Sequence, residues 1–216
     1  MDFPSRPLKR AAYGHLAAVG KALANDTRLE ILELLVQGPR TVEAIARAVH
    51  QSVANTSHHL HSLKKAHLVH GQREGQHVRY TVSGPEVGTL LGALHRTARQ
   101  HVAELQQLTS ALHEAPDALE PVDAATLRQR LADDAVTLVD VRPANEFAAG
   151  HLPHARSVPL DELEQHLADL PHDKPIVAYC RGPFCTFASE AARRLRLAGF
   201  DARRSEVAVH LPAELT

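Results

Sequence analysis

Cys180 and Cys185 are the only two thiols among 216 residues, and four residues separate them. Residues 176–179 form a short apolar run typical of a buried strand, and residues 188–195 have the pattern of a helix. Cys180 is therefore expected at a strand-to-helix crossing. There, inward-turned loop N–H groups and the positive end of the helix favour a thiolate or a bound anion at Cys180.

Two neighbours strengthen this interpretation. Arg181 adds a positive charge, and Gly182 permits the φ values that a tight cradle needs. The alternative is that both cysteines are ordinary core residues, which is common for free cysteine. A Cys-Arg-Gly-Pro run cannot pack like the interior of a strand or helix, so reactive thiols are the stronger hypothesis.

The chain length suits two small domains, and a proline-containing acidic segment near the middle favours that division. We predict domains at residues 1–115 and 123–216, joined by a linker at 116–122. Residues 1–115 carry 13 Lys and Arg against 9 Asp and Glu, a net charge of +4; the remainder carries 11 against 16, a net charge of −5. The basic first half favours a polyanion partner.

Neither a membrane span nor a signal peptide is expected. The sequence has no run of about 18 apolar residues, and residues 1–7 lack the apolar core of a signal peptide. We therefore expect a cytoplasmic protein with no membrane partner. Because that compartment keeps thiols reduced, two cysteines there are more often reactive than structural.

The first half has the pattern of short helices followed by a hairpin. Four helices are expected. The first covers residues 8–23, and the second begins at a cap, Asn25 or Asp26, and ends at Gly38-Pro39. The third covers residues 41–49, and the fourth covers residues 53–67 with Ser52 as its N-cap. The last of these should carry polar side chains on its outer face: Asn55, Thr56, His58, His59, His61 and Lys64. Residues 69–73 and 77–82 flank Glu74-Gly75-Gln76 and predict a β-hairpin with Arg73 and Arg79 beside its tip.

These motifs together resemble the ArsR-type winged helix repressors over about residues 15–110. The resemblance lies in the opening Lys-Ala-Leu-Ala-Asn-Asp-Thr-Arg-Leu-Glu-Ile-Leu, the Ser57-His58-His59-Leu60 core, the exit at residues 66–69 and the Arg73-Glu74-Gly75 wing. It implies a mainly α winged helix-turn-helix domain that forms homodimers on near-palindromic double-stranded operator DNA. Asn55, Ser57 and His58 are then expected at base edges, whereas Lys64, Arg73 and Arg79 meet phosphate. Thr56 and His59 are expected to bind DNA as well.

Metal sensing is a separate question. The best-known metal-sensing relatives carry paired cysteines on the helix that matches residues 41–49. Because no thiol occurs in the first half of this chain, soft-metal sensing at that helix is excluded. Eleven of the 16 histidines precede residue 115, and His101 with Glu104 could share a zinc site, whereas His95 would lie about 120° away. We predict no metal and no cofactor, and keep a histidine-based metal sensor as an alternative.

Residues 85–113 have a continuous apolar stripe and predict one long helix. Its roughly 28 residues would span about 42 Å, more than a small domain can cover. We expect this helix to form the homodimer interface. The alternative is a helix packed only on its own domain.

The second half alternates strand and helix patterns. Asp123 is expected to cap a helix, residues 136–141 and 176–179 to form strands, and residues 160–170 and 188–198 to form helices. This order predicts an α/β domain with a parallel sheet and with chemistry at the carboxyl ends of its strands.

Residues 119–216 resemble a rhodanese domain. The matching motifs are Asp140-Val141-Arg142, Glu146-Phe147, residues 150–155 and Tyr179-Cys180-Arg181-Gly182. The resemblance implies that Asp140 and Arg142 form a structural ion pair, and that Cys180 is a nucleophile that takes sulfane sulfur from thiosulfate, a persulfide or a polysulfide. Gly182, Phe184 and Thr186 would line the sulfur cradle, and Arg181 and Cys185 would assist.

The loop also departs from related families. Phosphatases and arsenate reductases of this superfamily have an arginine six positions after the cysteine, where this chain has Thr186, so a sulfur carrier is favoured. Cys185 is a second thiol that could resolve a Cys180 persulfide into a disulfide or a bridged polysulfide. Residues 205–210 lack the usual glycine pair, and the chain has no tryptophan, which argues against efficient turnover.

The leading hypothesis is a dimeric repressor whose rhodanese domain carries or senses sulfane sulfur on Cys180. The alternatives are a thiosulfate sulfurtransferase that its DNA-binding domain merely locates, and the histidine-based metal sensor.

Overall fold

A computed structural model describes residues 6–114 and 119–207. Two compact units make up the chain, Met1–Leu91 and Gly92–Thr216, and the division falls within one helix. The functional domain boundaries expected from the sequence stay a prediction; positions 116–118 of the expected linker and 208–216 of the second expected domain lie outside the described residues.

Five helices contribute to the first unit, and side-chain caps start three of them. They are α1 (Arg6–Leu23), α2 (Asp26–Val36), α3 (Val42–Ala48), α4 (Val53–Lys65) and the beginning of α5 (Pro85–His101). The side chains of Asn25, Thr41 and Ser52 each accept a hydrogen bond from the backbone N–H three residues later, at 3.1, 3.3 and 3.1 Å. These bonds satisfy N–H groups that have no partner within the helix.

The wing is a three-stranded antiparallel sheet. Its strands are β1 (Arg40–Thr41), β2 (Val69–Glu74) and β3 (His77–Val82), in the order β1-β3-β2. Glu74 pairs with His77, and Gly75 between them takes a φ of +62°, a value that glycine adopts without strain. The predicted hairpin is therefore confirmed.

The helices of this unit enclose one apolar core. Its most deeply buried side chains come from α2, α3 and α4, and each is no more than 1% exposed: Ile31, Leu32, Leu35, Ile45, Leu60 and Leu63. Val87 and Leu91 of α5 close the same core. Leu60 and Leu63 anchor α4 in this core.

The expected single helix over residues 85–113 is wrong, because two helices occupy that segment. α5 ends at His101, and α6 runs over Ala103–His113. Val102 between them is extended, with φ −113° and ψ 101°. A β-branched residue accepts this conformation readily. In α6, Thr109 is buried.

The second unit also contains a four-stranded parallel sheet, as predicted. The order of its strands is β5-β4-β6-β7, with β4 at Thr137–Asp140, β5 at Arg156–Ser157, β6 at Ile176–Tyr179 and β7 at Ala202–Arg204. The helices that accompany them are α7 (Ala124–Ala132), α8 (Ala144–Ala149), α9 (Leu163–His166) and α10 (Phe187–Leu197). Asp123 caps α7 by accepting the N–H of Thr126 at 2.9 Å.

One expected helix of this unit is shorter than the sequence suggests. Residues 160–170 were expected to be helical throughout, but only α9 is α-helical, and a 3₁₀ turn at Leu167–Asp169 follows it. The N–H groups of Glu162 and Gln165 each bond three residues back, which produces tight turns in place of α turns.

Both faces of the parallel sheet are covered. Along β6, Ile176 and Ala178 pack in one apolar cluster, and Val177 and Tyr179 pack in another. This alternation follows from the two-residue period of a strand, and burial on both faces explains the unbroken apolar run. Within the residues described, no helix has the length and apolarity that a membrane span requires.

Candidate functional site

Cys180 directly follows β6 and lies on the sheet face that packs against α10. It belongs to the same cluster as Ala188, Ala191 and Leu195, and it is 5% exposed. Cys185 lies closer to solvent at the other end of the loop, just before α10 begins at Phe187. Both thiols are free. The expected strand-to-helix crossing is thus where Cys180 lies.

The two thiols act on each other. The Sγ of Cys180 lies 3.2 Å from the carbonyl oxygen of Cys185 and can donate its proton to that oxygen. Interaction with the Cys180 thiol is the largest influence that lowers the pKa of Cys185, to about 6. Interaction with Cys185, followed by burial, raises the pKa of Cys180 well above its ordinary value.

This result differs from the expectation that the cradle favours a thiolate at Cys180. Burial disfavours the charged form of Cys180, whereas Cys185 lies nearer to solvent and its pKa is also lowered by the charge of Arg181, so the first proton of the pair leaves more readily from Cys185.

Backbone N–H groups nevertheless surround both sulfurs. Those of Gly182 and Ala188 lower the pKa of Cys180, and those of Arg181 and Phe187 lower the pKa of Cys185. The sequence indicated Gly182 as a cradle residue but did not indicate Ala188, whose N–H belongs to the first turn of α10. These amides favour a negative charge at the two sulfurs.

Three cradle residues differ in what they contribute. Among the described glycines, those with positive φ are Gly38, Gly75, Gly150 and Gly199, so the expectation that Gly182 supplies an unusual φ is wrong, and its contribution is an N–H group. The ring of Phe184 packs edge-on against His95, with centroids 5.2 Å apart. Thr186 precedes α10, is exposed, and makes no side-chain cap.

Arg181 is held by a carboxylate. Its Nε lies 2.9 Å from Oε2 of Glu146, and its Nη2 lies 2.7 Å from Oε1, a two-point contact. Glu146 is on α8 and its side chain is 1% exposed. This pair fixes the loop to α8 while the charge of Arg181 still lowers the pKa of Cys185. The sequence motif contained Glu146 but did not indicate this role.

A second ion pair lies at the carboxyl end of β4. The Nη2 of Arg142 lies 2.5 Å from Oδ2 of Asp140, and both side chains are fully buried. The hydroxyl of Tyr179 donates to the same oxygen at 2.7 Å and accepts the N–H of Leu152 at 3.1 Å. Burial and the charge of Asp140 raise the pKa of Tyr179. This network ties β4 to β6 just before Cys180.

A small cavity of about 30 Å³ adjoins Cys180. The loop forms one wall with Gly182, Pro183 and Cys185, and the strand end beyond β7 forms another. The remaining wall comes from residues that sequence reasoning missed, Arg99 of α5 and Thr109 and His113 of α6. His113 Nε2 lies 2.8 Å from the carbonyl oxygen of Pro183, and its Nδ1 lies 2.8 Å from Ser189 Oγ. The helices after the wing therefore complete the environment of Cys180.

Most of the expected DNA-contact residues are on the surface of the first unit. Five of them are exposed on α4 and on the wing: Asn55, Ser57, His58, Lys64 and Arg73. Arg79 is also exposed, and its Nε donates to Glu74 Oε2 at 2.7 Å. The Asn55 amide donates to Gln51 Oε1 at 2.8 Å.

Thr56 and His59 differ from the expectation that they lie outside. Thr56 is fully buried because it precedes Leu60 by four residues and shares its helix face. Its hydroxyl has no hydrogen-bond partner among the described residues. His59 is half-buried, and burial lowers the pKa of its imidazole.

His101 and Glu104, which were considered as zinc ligands on one helix, lie on two different helices. His101 ends α5, and Glu104 lies in α6 beyond the break at Val102. Within the described part of the chain, no three His, Cys, Asp or Glu side chains are grouped so as to hold a metal ion.

Two family models match the chain. The bacterial regulatory protein, arsR family, matches residues 25–70, and the rhodanese-like domain matches residues 123–208. The chain is also similar to the HTH-type transcriptional regulator Rv0324 of Mycobacterium tuberculosis, with 41% identity over 196 residues that make up 91% of this chain and 86% of that protein. The chain belongs to the ArsR family. It is a transcriptional regulator of that family with a C-terminal rhodanese-like domain.

Other relatives match one part of this ArsR-family regulator. A protein named Sulfurtransferase, from Allochromatium vinosum, is 39% identical over 61 residues, which are 28% of this chain and 57% of that protein. A solved structure of the homodimeric winged helix-turn-helix DNA-binding domain of Mb0332 from Mycobacterium bovis is 39% identical. It has a TM-score of 0.44 and covers 48% of this chain and 94% of that chain.

Proposed function

We propose that this ArsR-family regulator is a dimeric repressor whose operator affinity responds to sulfane sulfur on Cys180. The observation that carries the proposal is the placement of the thiols. Both cysteines of the chain are in one loop, in contact with each other and beside a cavity, whereas the helix-turn-helix unit contains no thiol. A chemical signal that reaches the chain through sulfur chemistry must therefore act at this loop.

The resting pair provides a route to an activated nucleophile. The Cys185 thiolate accepts the proton of the Cys180 thiol, and the Cys180 thiolate attacks the outer sulfur of a donor such as thiosulfate. A sulfur–sulfur bond forms at Cys180, the bond between the two sulfurs of thiosulfate breaks, and its electron pair leaves with sulfite. The N–H groups of Gly182 and Ala188 support the anionic product at Cys180.

Cys185 gives the persulfide a second fate. A Cys185 thiolate that attacks the inner sulfur of the Cys180 persulfide forms a Cys180–Cys185 disulfide and releases hydrosulfide. Attack on the outer sulfur instead moves that sulfur to Cys185 and regenerates the Cys180 thiolate. A bridge containing three sulfurs requires a second sulfane sulfur from a polysulfide. Each product changes the loop that holds both residues.

The dimer part of the proposal rests on apolar side chains that are exposed in the single chain. In α1, Leu8 and Leu16 are 76% and 66% exposed. In α6, Leu108 and Leu112 are 63% and 46% exposed. A second copy of the chain would remove such faces from water, which favours association. We include a cytoplasmic location in the proposal.

For operator contact, Asn55, Ser57 and His58 of α4 are proposed at base edges. Lys64, Arg73 and Arg79 are proposed at phosphates, because they are exposed cations on α4 and the wing. Thr56 is left out because it is buried, and His59 is left out because it is half-buried.

The test compares operator binding by reduced protein and by polysulfide-treated protein, with the mass of the peptide that contains Cys180 and Cys185 read in parallel. We expect added sulfur to accompany a change in operator affinity, and Cys180→Ser to abolish both. Added sulfur with unchanged operator affinity would contradict the regulatory part of the proposal.

A second candidate function is that of a sulfurtransferase. The similarity of 61 residues of this chain to the Allochromatium protein named Sulfurtransferase favours it. It requires rapid multiple turnover of thiosulfate with cyanide as acceptor. The burial of Cys180 and its raised pKa favour a single loading event over rapid turnover. A turnover assay on the same protein sample separates the two.

A further inference from the structure

Two arginines mark the opening of the cavity beside Cys180. Arg99, near the end of α5, and Arg204, the last residue of β7, both line the cavity and also line the open groove outside it. Thr109 and Glu206 also line both the cavity and the groove. These four side chains therefore form the passage between the enclosed space and solvent.

The charges around this passage favour an anion. Arg204 is repelled by Arg99 and attracted by Glu206 and Glu120, and burial together with the repulsion by Arg99 lowers its pKa. His113 also lines the cavity. Burial, together with the charges of Arg204 and Arg99, lowers the pKa of His113, so its ring is neutral. A negative charge placed between the two arginines would relieve their repulsion.

Sulfur loading supplies such a charge at this place. A persulfide is a stronger acid than a thiol, so a loaded Cys180 carries a negative charge on its outer sulfur at neutral pH. The cavity of about 30 Å³ beside Cys180 is large enough for at least one water molecule, so it has room for one added sulfur atom.

We propose that Arg99 and Arg204 form an anion subsite that receives the outer sulfur of a Cys180 persulfide, and that Arg99 transmits the loading to α5. The proposal rests on the proposed function and adds its regulatory residues. α5 carries Val87 and Leu91, which are buried in the core of the first unit, and Arg99 lies eight residues after Leu91 on the same helix. An anion that holds Arg99 therefore holds the end of a helix on which the helix-turn-helix core is built.

The main test uses Arg99→Gln, with Arg99→Lys to keep the charge and Arg96→Gln as matched control. Arg96 is one turn earlier on α5 and lines the groove but not the cavity. In wild type and Arg96→Gln, loading should change the operator Kd by about 5- to 150-fold, the usual range of allosteric coupling. Arg99→Gln should take up the same mass of sulfur and lose that change, and Arg99→Lys should retain most of it.

Arg204→Gln tests the subsite independently of DNA. Without this charge the persulfide anion is less stabilised, so a small thiol reductant should remove the loaded sulfur faster than from wild type. Equal release rates in Arg204→Gln, Arg99→Gln and wild type would overturn the subsite. An operator response of Cys180→Ser to free thiosulfate would also overturn it, because the ligand would then be a dissolved anion.

The two proposals fail in different ways. If loading leaves operator affinity unchanged in wild type, the proposed regulation is wrong, and the sulfur-release rates still decide whether the subsite exists. If wild type responds and Arg99→Gln responds equally, the regulation stands and the assignment of Arg99 is wrong.

Discussion

His113 Nε2 lies 2.8 Å from the carbonyl oxygen of Pro183, so the last residue of α6 bonds directly to the cysteine loop. A carbonyl oxygen only accepts, so Nε2 carries the proton, and Nδ1 accepts the hydroxyl proton of Ser189 at 2.8 Å. One neutral imidazole thereby joins α6, the loop and α10. His95 of α5 contacts the next loop residue, Phe184, which adds a second point of attachment.

Replacing His113 with alanine should loosen this attachment. It leaves the Pro183 carbonyl and the Ser189 hydroxyl without their partner, which should lower the free energy of unfolding by about 1–3 kcal/mol. Urea unfolding at neutral pH measures the change. His101→Ala, an exposed histidine at the end of α5, is the control and should leave the unfolding free energy unchanged. Equal effects of the two substitutions would contradict the role given to His113.

The same residue makes stability depend on pH. Burial lowers the pKa of His113 below its ordinary value of 6.5, so the unfolded chain binds a proton more readily than the folded chain. The contribution of His113 is therefore complete above about pH 6.5 and falls as the pH decreases towards the folded pKa. His113→Gln should show a smaller loss of stability between neutral and mildly acidic pH than wild type, and a parallel pair of curves would contradict this.

The thiol pair should titrate with its first proton leaving from Cys185. Thiolate absorbance of the wild type should rise at a pKa of about 6 and correspond to one thiolate per chain. Cys180→Ala removes the hydrogen bond that lowers this pKa, so the remaining thiol should titrate at higher pH. Cys185→Ala leaves only the buried Cys180, which should not ionise near pH 6. A first thiolate in wild type near the ordinary cysteine value, about 8.5, would contradict the arrangement.

Much of this architecture could be predicted from the sequence because its signals are local. The apolar run of β6 and the helix after it placed Cys180 at a strand end, and Ser52, Asn25 and Asp123 are caps that act within three residues. The burial of Thr56 could also have been found, since it precedes Leu60 and Leu63 on one helix face. The motif that included Glu146 identified the residue but not its partner Arg181.

The remaining features depend on contacts distant in sequence. Nothing at Val102 resembles a helix stop, because neither glycine nor proline occurs there, so the separation of α5 from α6 was not visible. Which thiol carries the charge depends on the positions of four backbone N–H groups and on the depth of each sulfur. The wall of the cavity combines Arg99 and His113 with a loop about 70 residues or more later in the chain.

The buried ion pair of the sheet should contribute far more to the free energy of unfolding than an exposed ion pair does. Asp140→Asn removes the carboxylate charge that faces the buried guanidinium of Arg142, which should cost about 3–5 kcal/mol in the free energy of unfolding. Asp134, which pairs with Lys174, has a side chain that is 88% exposed, so Asp134→Asn should leave stability nearly unchanged. Denaturant unfolding of both variants provides the comparison, and similar midpoints would contradict it.

Dimer formation should depend on the apolar face of α6. Leu108→Glu puts a charge where 63% of the leucine is exposed in the single chain, so the dimer should weaken and operator affinity should fall with it. Leu197→Glu is the matched control, because Leu197 of α10 is 74% exposed and is not part of the proposed interface. Sedimentation measures both variants, and a monomeric wild type or an equal effect of the two substitutions would contradict the proposal.

Operator contacts should separate into sequence reading and charge. Asn55→Ala should cost about 1–3 kcal/mol of discrimination at one base pair, because an asparagine amide can pair with a base edge. Arg79→Ala should weaken binding to all DNA sequences alike. It should also lower the salt dependence of binding by the share of about one phosphate contact. Thr56→Val is the control within α4, because its buried hydroxyl has no partner among the described residues and should be replaced without loss. Binding to an operator and to its single-base variants across a salt series measures all three. A changed sequence preference in Thr56→Val, or identical behaviour of Asn55→Ala and Arg79→Ala, would contradict the assigned orientation of α4.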